Sequence, residues 1–324
     1  MKFIYTIVML LGSCNILFAQ EETHPEVLAE ADDITSVEET HRREFHEEGW
    51  TTEGSISSLF GHSAFNKHWL GGGTSDVSME FNIVSGLNYE KGKFISENEV
   101  TAEYGIARDT EYKNTHKTND RFEINSISGI KIRKSRMYFS FLLNFKTQFD
   151  RGYKYEKDEF NKNTRKEISR ILSPGDIKFG PGIFWKNNKM LSINITPMAG
   201  RFTLVNKIFT KVDPLDKEAL EAYEHHKYYG VEANKTSLFE FGTAVRAFYK
   251  FEILKDIFMT NTVELYSNYL EAPQNVDLNY NANLSMLIGK YFTARILFEA
   301  IYDDDAIDNI QVREGFGLGA NYMF

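Results

Sequence analysis

From residue 50 to the end of the chain, apolar and polar side chains take turns in segments of about ten to fifteen residues, the length a tilted strand needs to cross a bilayer. Over 136–149, Met137, Phe139, Phe141, Leu143, Phe145 and Phe149 fall on one side, while Ser140, Asn144, Lys146 and Gln148 fall on the other. Over 276–290, Leu278, Tyr280, Ala282, Leu284, Met286 and Ile288 alternate with Asn279, Asn281, Asn283 and Ser285. A period of two sends successive side chains to opposite faces of a strand, so each segment has one greasy and one wet face. The pattern predicts twelve strands, near 50–60, 76–89, 93–107, 121–133, 136–149, 176–186, 189–205, 237–253, 257–269, 276–290, 291–302 and 311–324. Ser96 and Asn98 interrupt the third, whose register is the weakest.

The connections alternate in length. Those at 90–92, 134–135, 187–188, 254–256 and the join at 290–291 are tight, and those at 61–75, 108–120, 150–175, 206–236, 270–275 and 303–310 are mostly long and polar. Membrane barrels have short periplasmic turns and longer external loops, so this phase puts both ends of an even-numbered sheet in the periplasm. The expected fold is therefore all-β, an antiparallel up-and-down transmembrane β-barrel of about 12 strands in a Gram-negative outer membrane, in contact with its lipid.

Both ends of the chain support this expectation. At the C-terminus, Phe316, Leu318, Ala320, Tyr322 and Phe324 share a face opposite glycines and an asparagine. A closing strand ending on Phe resembles the assembly signal of outer-membrane barrels, and Tyr322 and Phe324 would address the barrel-assembly machinery. At the N-terminus, Lys2, the apolar run 3–11 and Ala19 read as a signal peptide over 1–19. A lipid-attachment box at Leu11-Gly12-Ser13-Cys14 competes, but Ile16, Leu17 and Phe18 continue the apolar run past Cys14. Cys14 is the only cysteine, which excludes a disulfide framework.

Composition shifts the picture in two places. Hydrophobic content of 42% suits a barrel, whose strands are half polar, and the 14% aromatic content supplies rings for girdles at both interfaces. The net charge of −9 is concentrated in 20–49, where eleven carboxylates face only Arg42 and Arg43. This stretch reads as an acidic periplasmic tail, unfolded alone, that either links or docks on a periplasmic or outer-membrane partner. The barrel, 50–324, is close to neutral, and no basic stripe marks a nucleic-acid binder.

On the wet faces, acidic residues gather at Glu80, Glu97, Glu99, Glu103 and Glu123, and basic ones at Lys131, Lys146, Lys178, Arg246 and Lys250. Glu240, Glu264, Arg295, Glu299 and Glu314 complete the expected lumen set. Such residues line a solute path or pair across a filled interior; in a barrel this narrow, pairing is favoured.

The segment Asn66-Lys67-His68-Trp69-Leu70-Gly71-Gly72-Gly73, with Gly49-Trp50 opening the barrel, resembles an uncharacterised Bacteroidota outer-membrane barrel family, a domain of unknown function. The resemblance implies a porin-like barrel over 49–324 with no known substrate. Read physically, three glycines permit a tight turn that tucks Trp69 against the barrel mouth.

Enzyme chemistry is the remaining class. Twelve-stranded outer-membrane hydrolases exist, but all eight histidines fall outside the predicted strands: His24, His41 and His46 in the tail, and His62, His68, His116, His225 and His226 in loops. Only a mouth site using His62 or His68 with loop carboxylates is left for a Ser–His pair. No cofactor or metal is expected. His225 and His226 are adjacent and point apart, Asp303, Asp304, Asp305 and Asp308 lack the spacing of a calcium loop, and Asp213 before Pro214 opens a loop helix over 215–223. The expected function is a porin-like or structural barrel, with an accessory subunit of a larger outer-membrane complex as the alternative.

Overall fold

The computed structural model describes residues 48–324 apart from 66–75, 109–114, 158–162, 188–189 and 304–305. The expected leader, most of the acidic stretch and the Trp69 motif lie outside the described residues. Strands β1 (Gly49–Phe65), β2 (Asp76–Lys91), β3 (Phe94–Arg108), β4 (Thr115–Lys131) and β5 (Met137–Thr147) form the first meander. A hairpin, β6 (Gly152–Lys157) and β7 (Asn163–Ser169), then leaves the sheet, which resumes with β8 (Gly175–Lys186) and β9 (Leu191–Leu204). Two short helices, α1 (Lys207–Thr210) and α2 (Lys217–Glu224), precede β10 (Ser237–Leu254), β11 (Ile257–Asn268), β12 (Asp277–Ile288), β13 (Phe292–Asp303) and β14 (Ile307–Met323).

Twelve of these strands close into one antiparallel barrel, in the order β1-β14-β13-β12-β11-β10-β9-β8-β5-β4-β3-β2, while β6 and β7 pair only with each other. Closure depends on β14 lying against β1 in the register Ser58 to Ala320. The seam is pinned at its end where Gly54 N–H donates to Phe324 O (2.9 Å) and Phe324 N–H donates to Gly54 O (3.0 Å). Gly54 has no alternative there, because a Cβ would lie 2.6 Å from the Phe324 ring. With every edge paired, no strand backbone is left open to an apolar solvent.

The outer face carries the greasy side of each strand. Trp50, Phe60, Phe139, Phe292 and Val77 are all more than 60% exposed there, beside Phe141, Leu318 and Tyr322. An apolar exterior of this extent needs lipid around it. Aromatic contacts mark the short-turn, periplasmic end: Trp50 to Tyr89 (ring centroids 4.9 Å) and Tyr89 to Phe94 (6.1 Å). In the periplasmic half of the lumen, Ile95, Ile127, Tyr138, Leu142 and Phe184 pack together.

Several local expectations are corrected. The hairpin β6–β7 occupies what the pattern gave as one long loop, 150–175, because the alternation of Tyr153 and Tyr155 with Lys154 and Glu156 is too short to register as a membrane strand. Strand β4 starts at Thr115, not at 121, where Lys117 Nζ donates to Asp120 Oδ2 (2.7 Å), Gln148 Oε1 (3.1 Å) and Asp150 O (2.8 Å), which extends the pairing above the membrane. The loop helix begins after Asp216, whose carboxylate accepts from Ala219 N–H (3.0 Å), whereas Asp213 accepts from Leu215 N–H in a local turn.

Candidate functional site

Pairing register decides which side chains enter the lumen. From Leu59 opposite Glu80, inward positions run through Glu80, Glu97, Glu99, Glu103, Glu123 and Lys131, then Lys146, Lys178, Glu240, Arg246, Lys250, Glu264, Arg295 and Glu299. Glu314 is different. It shares its face with the exposed Phe316 and Leu318 and points outward, so its neighbour Arg313 is the inward residue, only 2% exposed.

These charges meet in three groups at successive heights. Toward the external mouth, Arg201 lies within reach of four carboxylates: Nε to Asp176 (2.5 Å) and Glu240 (3.5 Å), Nη1 to Asp277 (2.8 Å) and Nη2 to Asp303 (3.2 Å). Lys178 adds a second cation, 3.4 Å from Asp176. At mid-height, Arg121 pairs with Glu103 (3.1 Å), Arg313 with Glu80 (2.6 Å) and Glu299 (3.8 Å), and Arg295 approaches Glu80 (3.8 Å) and Glu103 (3.9 Å). Arg246 on β10 reaches across to Glu99 on β3 (3.8 Å) and Glu123 on β4 (3.6 Å) and also bonds Glu264 beside it on β11. Nearer the periplasm, Lys186 on β8 bonds Glu97 on β3.

The mid-height group also holds neutral partners that fix its geometry. Asn144 Nδ2 donates to Glu123 (2.8 Å), Asn119 Nδ2 to Glu103 (3.1 Å), and Arg295 Nε donates to Asn283 (3.0 Å). A guanidinium offers five donors in a rigid fork, which lets one arginine tie two or three walls together. Arg246 spans strands that lie five apart in the ring, close to a full diameter of a twelve-stranded barrel.

Above this lattice opens a cavity of about 1030 Å³, lined by Asp176, Lys178, Arg201, Tyr266, Asp277 and Asp303 on the wall and floored by Asn125, Leu142, Ala244 and Arg246. The loop carrying α1 and α2 leans over it through Phe209, Tyr228 and Tyr229. Tyr228 stacks on Phe209 (4.6 Å), and its hydroxyl reaches Ile168 O (2.8 Å) and Ser173 O (3.0 Å), tying this loop to the base of the β6–β7 hairpin. Burial pushes both tyrosine phenols above their usual range, so each stays neutral, with Asp303 adding to the effect at Tyr229. At the hairpin, the Arg151 N–H holds the Asp150 carboxyl below its usual range, and the Arg170 guanidinium does the same for Glu167.

The geometry is that of an outer-membrane β-barrel with a charged, cross-braced lumen. Residues 60–153 match the family model of a protein of unknown function (DUF3078). The matched stretch runs from the second half of β1 to the start of β6 and contains the 66–73 segment. No curated protein matches the chain. Among solved structures it is similar to outer membrane phospholipase A from Escherichia coli (10% identity, covering 83% of this chain and 90% of that one, TM-score 0.39). It is also similar to the translocator domain of the autotransporter NalP from Neisseria meningitidis (9% identity, 90% and 97%, TM-score 0.36). A third is the COG4313 outer membrane channel from Pseudomonas putida F1 (8% identity, 94% and 100%, TM-score 0.36).

Sequence reading missed six members of the lattice. Arg121, Asp176 and Lys186 had a signal, since they keep the parity of Glu123 and Lys178 within their own strands. Arg313 and Asp277 likewise keep the parity of Gln311 and Asn279. Arg201 had none: β9 carries a bulge between Thr196 and Ala199, which reverses inside and outside beyond it. Of the loop candidates, Asp303 is engaged by Arg201, and His225 caps α2 with its backbone. No group of three or more metal-ligating side chains forms among the described residues. His68 and the side chains of His62 and His116 lie outside them.

Proposed function

We propose that the protein is a porin-like outer-membrane barrel that takes small polar solutes into an external vestibule and restricts their passage with a lattice of ion pairs at mid-height. The observation that carries this reading is the Arg246 bridge to Glu99 and Glu123 on the far wall, which crosses the lumen at mid-height. The Arg246–Glu123 arm is largely buried and is therefore screened little by salt, so it should hold across physiological ionic strengths, whereas the Glu99 carboxylate is half-exposed. The vestibule lining mixes cations and anions, which suits polar solutes of either sign.

Planar-bilayer recording tests the proposal. The wild-type protein should show low conductance, and the double variant Arg246→Ala, Arg295→Ala should conduct several times more, because the two arginines that reach β3 from β10 and β13 are gone. A wild type that conducts as freely as the variant would show that the brace does not limit passage.

A further inference from the structure

Two features at the periplasmic end of β2–β5 play no part in the lumen. The first is a set of cations on two neighbouring short turns, which are tied edge to edge by the hydrogen bond from Lys131 N–H to Lys93 O (2.7 Å). Lys91, Lys93, Arg133, Lys134 and Arg136 are all exposed, and none of them has a carboxylate partner among the described residues. Arg136 bonds only the Asn187 amide oxygen, and Lys131 stands over the Tyr138 ring (5.7 Å). Among the described residues, the carboxylates nearest in the fold are Glu90, within the first turn, and Glu48, which accepts from Gly92 N–H (3.4 Å). Among these residues positive charge therefore exceeds negative on this arc of the rim.

The second feature is a polar ladder on the lipid face immediately above these turns. Ser96 and Asn98 on β3 and Ser126 and Ser128 on β4 share the outward face of Phe94, Val100 and Ile130. Their side chains bond one another: Ser96 Oγ to Ser128 Oγ (2.9 Å), Ser126 Oγ donating to Asn98 Oδ1 (2.7 Å), and Asn98 Nδ2 donating to Leu87 O (2.8 Å) and Ser96 Oγ (3.1 Å). Three hydroxyl hydrogens meet two acceptor roles within this ladder. One O–H, at Ser96 or Ser128, is left to donate to a group from outside, and in hydrocarbon an unspent donor is costly.

We propose that this arc is a binding site for an anionic glycerophospholipid of the periplasmic leaflet, its phosphate held by Lys93, Arg133 and Lys134 and an ester carbonyl accepting from the spare serine hydroxyl. Ser96 lies three residues inward from Lys93, roughly 10 Å along the strand, the direction in which a glycerol backbone follows its phosphate. Continuity with the lipid-facing belt selects a lipid over a protein as the occupant, and the surplus of cations selects an anionic headgroup.

Native mass spectrometry of the full chain, released from micelles containing equal phosphatidylglycerol and phosphatidylethanolamine of the same acyl chains, reads the site directly. Phosphatidylglycerol should be retained in preference by about tenfold or more, since each surface cation near a headgroup adds measurably to the attraction. Lys93→Gln, Arg133→Gln, Lys134→Gln should abolish the preference, and Ser96→Ala, Ser128→Ala should lower retention at unchanged net charge, with barrel mobility on unheated gels intact in both. Lys290→Gln, on a separate turn, serves as a control and should change nothing. Equal retention of the two lipids by the wild type would overturn the proposal. So would a serine variant that retains phosphatidylglycerol fully, which would mark a diffuse basic rim, or a rim that ignores the lipid and binds an acidic polypeptide such as polyglutamate.

Discussion

Arg201 shows how much one side chain can carry in a lumen. Its guanidinium is the common partner of Asp176, Glu240, Asp277 and Asp303, drawn from β8, β10, β12 and β13. Removing one partner of a buried charge group leaves the others uncompensated, at a cost of about 3–5 kcal/mol. Arg201→Ala should therefore lower the free energy of unfolding, extrapolated from a urea titration of the reconstituted barrel, by that amount. Arg201→Lys should recover less than half of the loss, because an ammonium cannot address four carboxylates along separate directions. A variant as stable as the wild type would mean that water already screens this group. The same residue marks the limit of reading faces from sequence. Alternation from Ile193 and Ile195 places Arg201 outside, and only the bulge at Pro197 and Met198 turns it in. Where no bulge intervenes, as from Glu80 through Glu123, parity alone gave the inward charges, while their partners across the lumen were not legible because strand order in a ring is not written in any one strand.

At the scale of elements, the closing seam and the β6–β7 hairpin behave differently. Strand β14 faces β1 with glycines at Gly317 and Gly319, and Leu59 lies over Gly317, 3.0 Å from where a Cβ would stand. Gly317→Val should therefore force Leu59 out of the seam and slow barrel closure, seen as a larger unfolded fraction on unheated gels after refolding into detergent. Deleting Phe324 should act in the same direction, since it removes both hydrogen bonds to Gly54. The hairpin is held instead by surface carboxylates. Asp150 and Glu167 have depressed carboxyl pKa values, set first by the Arg151 N–H and the Arg170 side chain respectively. A depressed folded-state value means that their contribution is present above the ordinary carboxylate pKa of about 4 and is lost as the pH falls through the lower folded value. Amide protection factors, which remove the intrinsic pH dependence of exchange, should accordingly fall in the hairpin strands β6 and β7 on acidification below about pH 4, while those in the barrel strands do not change. The strands were legible because lipid on one side and water on the other impose a strict period of two. The hairpin has water on both sides, and its alternation is too short to register.

For the whole molecule, the barrel is a closed ring to which the external loops are attached, and this separates stability from passage. β5 pairs directly with β8, so the ring does not depend on β6 and β7. Replacing 152–169 by a short Gly-Ser turn should leave the heat-resistant mobility of the barrel unchanged. The vestibule would lose Lys154, Lys166 and Glu167 from its lining and the docking of Tyr228 on Ile168 O, so solutes should reach Arg201 and Tyr266 more readily. Conductance should nevertheless stay at the wild-type level, because the Arg246 and Arg295 bridges lie below the vestibule and owe nothing to the hairpin. Combining the hairpin replacement with Arg246→Ala, Arg295→Ala should give the conductance of the arginine variant alone. If hairpin removal by itself opened the pore, the restriction would sit at the mouth, and the ion pairs would be structural struts.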